Sequence, residues 1–106
     1  MTEGYDTNEP KSLGKATLTV SSLVVGLADA TPSINSRAAT VKRAIITCET
    51  DSVRWWPSDD PSSSDGHLMD ASDALSFMAS SYQHVLQSIR FIRVTGDAVL
   101  KISYFD

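Results

Sequence analysis

The sequence predicts an all-β protein, a two-sheet antiparallel sandwich of the jelly-roll kind. Short stretches of alternating apolar and polar residues recur along the chain, and they are rich in Val, Ile, Thr and aromatic residues. Loops of Pro, Ser, Asp and Gly separate these stretches. The chain has 106 residues and shows no internal repeat, which suits one domain.

Two parts are expected along the chain. Residues 1–15 are polar and contain helix and strand breakers, so they predict an extended N-terminal arm. Residues 16–106 form a single β-sandwich domain. The arm does not resemble a signal peptide, and the longest apolar runs, such as 23–27, are too short to cross a membrane.

Clear alternation marks the first strands. Over 16–22, Leu18 and Val20 share one face, which indicates a half-buried strand. The segment 41–49 is a second strand, in which Ala44, Ile46 and Cys48 share one face. Residues 53–56 are a third strand, which ends at a proline. The short turn between them predicts a hairpin.

The middle of the chain is less uniform. Residues 57–66 are a loop by composition, and 67–70 suit a short strand. Residues 72–89 fit two structures. Apolar residues fall at helical spacing there, whereas the rhythm of short strands elsewhere favours a strand followed by a turn.

The last two strands show the strongest pattern. Residues 89–95 and 98–105 flank Gly96-Asp97, and the sequence predicts that they pair as a hairpin. Leu100, Ile102 and Tyr104 share one face of the final strand.

Net charge and cysteine content limit the kinds of partner and of covalent cross-link that the chain can have. The net charge is −4 and the pI is near 4.9, which argues against direct binding to nucleic acid. The single cysteine, Cys48, cannot form an internal disulfide, and its neighbours indicate a small buried side chain.

The sequence predicts no catalytic, cofactor-binding or metal-binding residue. His67 and His84 have no partners at zinc-ligand spacing. The aspartates between 59 and 73 match no calcium loop, and the serines at 62–64 lack the setting of a hydrolase nucleophile. The sequence therefore predicts a protein that is not an enzyme.

Strands that are apolar on both faces indicate a protein-binding surface. Trp55 and Trp56 are adjacent, so they point to opposite faces of a strand. Either a partner protein or, from the same chain, a loop or the segment 72–89 must cover the outer one. Tryptophan and arginine often dominate interface energies. The interface candidates are Arg54, Trp55, Trp56, Arg90, Arg93 and Phe105.

Several short motifs occur in a characteristic order. They are AIITCE at 44–49, VRW at 53–55, DPS at 60–62, GHL at 66–68, DAL at 73–75, IRFIR at 89–93 and LKISYF at 100–105. In this order, over about residues 16–106, the chain resembles small virion proteins of tailed bacteriophages. It departs from their pattern in the loop, where Asp59-Asp60 stands in place of Asp-Gly and Pro61-Ser62 in place of Pro-Thr.

The resemblance implies a capsid cement or decoration protein, made in the host cytoplasm and located on the capsid surface. Such a protein binds the major capsid protein, stabilises the shell and associates with itself as a dimer or trimer. Three alternatives remain open. They are a carbohydrate-binding module of a phage fibre or surface protein, an accessory protein of the neck or tail, and, with least support, a small jelly-roll enzyme.

Overall fold

The structure is a computed structural model, and it describes residues 11–36, 41–77 and 83–106. Within these ranges, segments in which apolar and polar residues alternate form strands. The described residues contain eight strands. They are β1 (Ser12–Val20), β2 (Val25–Gly26), β3 (Arg43–Glu49), β4 (Val53–Trp56), β5 (His67–Met69), β6 (Ala74–Phe77), β7 (Arg90–Arg93) and β8 (Ala98–Phe105). Two 3-10 turns, Leu27–Asp29 and Ile34–Ser36, and a short helix α1 (Gln83–Ser88) lie between strands. No described helix is long and apolar enough to cross a membrane.

The strands form two four-stranded sheets. Sheet I has the order β1-β8-β3-β6, and sheet II has the order β2-β7-β4-β5. All described pairings are antiparallel. Strand 1 pairs with 8, 2 with 7, 3 with 6 and 4 with 5, which is the nested connectivity of a jelly roll. The predicted fold class is therefore confirmed.

Both predicted hairpins are wrong in their pairing, although their strands are present. β3 lies in sheet I and β4 in sheet II, and β7 and β8 are likewise in different sheets. The turns at 50–52 and 94–97 carry the chain from one sheet to the other. Apart from β4 and β5, which pair with each other, each strand is therefore flanked by strands that are not its neighbours in sequence.

The inner faces of the two sheets form one core. Leu18, Ile46 and Leu100 of sheet I are at most 2% exposed, and Phe91 of sheet II is fully buried. The inward faces predicted for β1, β3 and β8 are confirmed. The remaining buried apolar residues are Ala16, Val20, Leu27, Ala30, Ile34, Val41, Ala44, Cys48, Val53, Met69, Leu86, Ile89, Ala98, Ile102 and Tyr104.

Two segment boundaries differ from the sequence-based expectation. The region 72–89 contains both structures that were considered, since β6 ends at Phe77 and α1 begins at Gln83. Residues 78–82 lie outside the described residues. β1 begins at Ser12 rather than at residue 16, because residues 12–15 already pair with β8. The described residues thus carry the sandwich into the segment expected to be an arm, and the rest of that segment, 1–10, lies outside them.

Candidate interaction surface

The predicted interface residues lie at four places. Trp55 and Trp56 are on β4, beside Arg90 at the start of β7. Arg54 precedes them on β4 and lies under a loop. Arg93 is at the far end of β7, and Phe105 is on sheet I. The structure therefore brings together only Trp55, Trp56 and Arg90 of the predicted set.

The two tryptophans share a histidine neighbour. The His67 ring centroid lies 4.8 Å from that of Trp55 and 5.0 Å from that of Trp56. Trp55 packs against the core and meets Phe77 of sheet I edge-on at 6.2 Å, so it is the inward tryptophan. Trp56 is the outward one, and both are half-buried. The sequence did not indicate this aromatic contact of His67, and the signal for it is the alternation of β5 opposite β4.

Arg90 is the cross-strand neighbour of Trp56 on the outer face of sheet II. Its Nη1 donates to the carbonyl oxygens of Gln87 at 3.2 Å and Ile89 at 3.0 Å. On its other side, a Cβ at Gly26 would lie 2.7 Å from Nη1. The absence of a side chain at residue 26 therefore leaves space for the guanidinium. These contacts hold Arg90 in one orientation beside Trp56.

The four residues Trp55, Trp56, His67 and Arg90 are called the Trp–Arg patch below. The patch lies where β4 ends and β7 begins, on paired strands rather than on loops. Next to it, Leu68 is 50% exposed on β5. The patch therefore presents aromatic surface and one fixed cation, and an exposed leucine lies at its border.

Loop 57–66 covers the neighbouring part of the outer face. Pro61 is buried, and Arg54 donates from Nη1 to the Gly66 carbonyl at 3.1 Å. Gly66 has φ +137°, and a Cβ there would lie 3.1 Å from the Trp55 carbonyl oxygen. The loop thus folds back onto β4 and occupies Arg54, which makes this arginine part of the fold and not of an exposed patch.

Arg93 and Phe105 lie away from the patch. Arg93 forms a salt bridge with Asp97 at the opposite end of sheet II. Phe105 is half-buried on the outer face of sheet I, paired with Ser12 and Arg43. Neither residue belongs to a common surface with Trp56.

Acidic residues gather at the end of the sandwich where Arg93 lies. Burial and, to a smaller extent, the nearby carboxylates of Asp73, Asp51, Asp70 and Glu49 together raise the pKa of the Cys48 thiol to about 11. The Cys48 Sγ–H also donates to the Asp51 carbonyl at 3.0 Å. Its predicted burial is confirmed, and a thiol with a raised pKa is a poor nucleophile near neutral pH.

The acidic residues do not form a recognisable metal site. Within the described parts of the chain, no group of three or more His, Cys, Asp or Glu side chains is arranged to hold a metal ion. Asp70 and Asp73 instead stabilise the turn between β5 and β6, and Asp70 is also held by a hydrogen bond from Ser52. The Asp70 carboxylate accepts from Ser52 Oγ at 2.7 Å, and its backbone N–H donates to Asp73 at 2.8 Å.

Comparison with known proteins adds no family assignment. The chain matches no protein-family model, no curated protein and no solved structure. The features that bear on function are therefore the fold, the Trp–Arg patch and the order of motifs in the sequence.

Proposed function

We propose that this protein is a structural component of a tailed-bacteriophage particle, a cement or decoration protein that binds the major capsid protein on the capsid surface. The observation that carries the proposal is the Trp–Arg patch on a jelly-roll scaffold. Jelly rolls are a recurrent architecture of virus shells. The resemblance of motif order to small phage virion proteins points to the same class.

The patch has the properties of an anchor for protein binding. Trp56 offers a large ring that loses little conformational entropy on binding, because the strand and His67 already restrict it. The bonds of Arg90 to carbonyl oxygens use Nη1, and a guanidinium has five N–H donors. Its other donors remain for a carboxylate or carbonyl oxygen of a capsid subunit. Tryptophan and arginine together are the residues most enriched at energetic centres of interfaces.

The mechanism is passive. A protein that binds the assembled shell, and not its separated subunits, stabilises the assembled state by mass action. The stabilisation grows with the concentration of the free decoration protein relative to its dissociation constant. No step in this mechanism makes or breaks a covalent bond, so we propose that the protein is not an enzyme.

The experiment compares phage particles with and without this chain. Particles that lack it should release their genome at a lower temperature, and adding purified protein should restore the original release temperature. The Trp56→Ala and Arg90→Lys variants should bind at least tenfold more weakly, measured as protein retained on sedimented particles. Thr19→Ala, on the exposed outer face of sheet I, is the control and should bind normally. Unchanged heat resistance in particles without the protein would refute the proposal.

Carbohydrate binding is the second candidate, because jelly rolls also occur in lectins. Sugar stacking needs a free aromatic face. Trp55 packs against the core and meets His67 and Phe77, so of the two tryptophans only the outward Trp56 offers a ring for stacking. One such ring beside a fixed arginine favours protein binding, because tryptophan and arginine are enriched at energetic centres of interfaces. A glycan array on the wild type and on Trp56→Ala separates the two functions, since specific glycan binding lost in the variant would favour the lectin.

A further inference from the structure

A groove of about 680 Å³ lies on the outer face of sheet I, along β1 and β8. Lys15, Thr17, Lys101 and Ser103 line it, and the segment Thr31–Pro32 forms one wall. That wall is fixed, because the backbones of Thr17 and Thr31 exchange two hydrogen bonds of 3.0 and 2.8 Å. The groove is thus a built feature of the fold and is separate from the Trp–Arg patch.

The groove carries positive charge in a protein with a net charge of −4. Lys15 and Lys101 are both exposed and lie diagonally across the β1–β8 pair. Arg43 is on the same outer face, whereas the carboxylate on these strands, Glu49, is at the far end of β3. Among the described residues, neither lysine takes part in a salt bridge. The groove therefore suits an anionic segment.

The chain itself contains a segment of the required charge. Residues 1–10 include Glu3, Asp6 and Glu9 and contain no Lys or Arg. They also include Tyr5, an aromatic residue that can pack on the Thr31–Pro32 wall. We propose that the groove binds residues 1–10 of a second copy of this chain, so that the copies are joined by their N-terminal segments. This inference goes beyond shell binding and does not depend on it.

The direction of the chain favours a second copy over the chain's own segment. Lys11 is fixed at the end of β1, since its backbone N–H donates to the Asp106 carboxylate at 2.8 Å and its carbonyl accepts from the Asp106 N–H at 3.1 Å. Pro10 disfavours the helical conformation at Glu9 and so favours continued extension. Because β1 runs from Ser12 into the groove at Lys15, a segment that precedes Lys11 would have to reverse its direction to enter the groove of its own molecule. Ten residues can span roughly 33 Å, enough to reach a neighbouring copy.

The test exchanges charges between segment and groove in full-length protein. The first variant carries Glu3→Lys, Asp6→Lys and Glu9→Lys, so that its segment and its groove are both basic. The second carries Lys15→Glu and Lys101→Glu, so that both are acidic. The replaced groove residues are exposed, and circular dichroism verifies that each variant is folded. Light scattering measures the mass of each variant alone and of an equimolar mixture.

The wild type should have at least twice the 11.5 kDa mass of one chain at low salt, and 0.5 M salt should reduce it because screening weakens surface ion pairs. Each variant alone should be a monomer, and the mixture should regain the larger mass. A monomeric wild type, as binding of the segment to its own groove would give, overturns the proposal. Variants that remain oligomeric alone, or a mixture that remains monomeric, overturn it too.

Discussion

Replacing Ile46 by alanine tests the inner face of β3 directly. Ile46 is fully buried between Ile102 on β8 and Leu75 on β6. Loss of three carbon atoms removes about 2.4 kcal/mol of transfer free energy, and the cavity left behind brings the expected loss to about 3–4 kcal/mol. Such a loss is a large part of the stability of a domain this size. It should lower Tm by about 15 °C.

Ile45→Ala is the matched control, because it makes the same change on the same strand. Ile45 is half-buried on the outer face, between Ser103 and Ser76, and its removal leaves space that solvent can fill. We expect a loss of about 1 kcal/mol. Urea denaturation of both variants gives the two free energies of unfolding. Equal losses would show that the assignment of faces in β3 is wrong.

The further predictions concern three single sites. The Cys48 thiol should react slowly with iodoacetamide at pH 8 in native protein and rapidly in urea, and equal rates would contradict its burial. Its pKa is raised from 9.0 to about 11 on folding, so stability is complete below pH 9 and falls as pH rises through 11, by at most about 3 kcal/mol. Cys48→Ser should lose that part of the pH dependence in urea titrations, and an unchanged profile would assign it to other groups. Gly66→Ala should cost about 1–3 kcal/mol, since φ is +137° and the new Cβ meets the Trp55 carbonyl; Ser64→Ala in the same loop should change stability by less than about 0.5 kcal/mol, and similar values for both would argue against strain. Asp97→Asn should cost less than about 1 kcal/mol in thermal unfolding because its salt bridge to Arg93 is exposed, and a loss above about 2 kcal/mol would show that this pair is more than a surface contact.

The local pattern determined the strands well. Alternation in β1, β3 and β8 identified the buried faces because a period of two assigns every second side chain to the core. β2 was not predicted as a separate strand. Its two residues, Val25–Gly26, are too few to show a period, and they pair with β7 only because the surrounding fold brings them there.

Strand pairing was not contained in the local pattern. The short turn before β8 looks like a hairpin turn, yet it links two sheets. The same alternation of apolar and polar residues fits a strand that pairs with its neighbour in sequence and a strand that faces this neighbour across the core. What decides between them is which arrangement covers both apolar faces, and that depends on all eight strands together.

The interface prediction shows the same division. Adjacent tryptophans on a strand had to face opposite ways, and the structure shows which one faces inward. The role of Arg54 depended on where loop 57–66 folds, and composition gives only that the segment is a loop. In the structure, Pro61 is buried and the Gly66 carbonyl accepts a hydrogen bond from Arg54, and these two contacts place the loop over this arginine.

The position of β8 has a consequence for synthesis of the chain. The last strand lies between β1 and β3, and its ladder with β1 runs from Ser12 opposite Phe105 to Val20 opposite Ala98. During translation β1 emerges well before its partner β8. Contacts between such distant parts of a chain make folding slow. Sheet I can therefore form only after residues 98–105 have been synthesised, and a ribosome that stalls before residue 98 leaves the edge of β1 that faces β8 without its backbone hydrogen-bond partners.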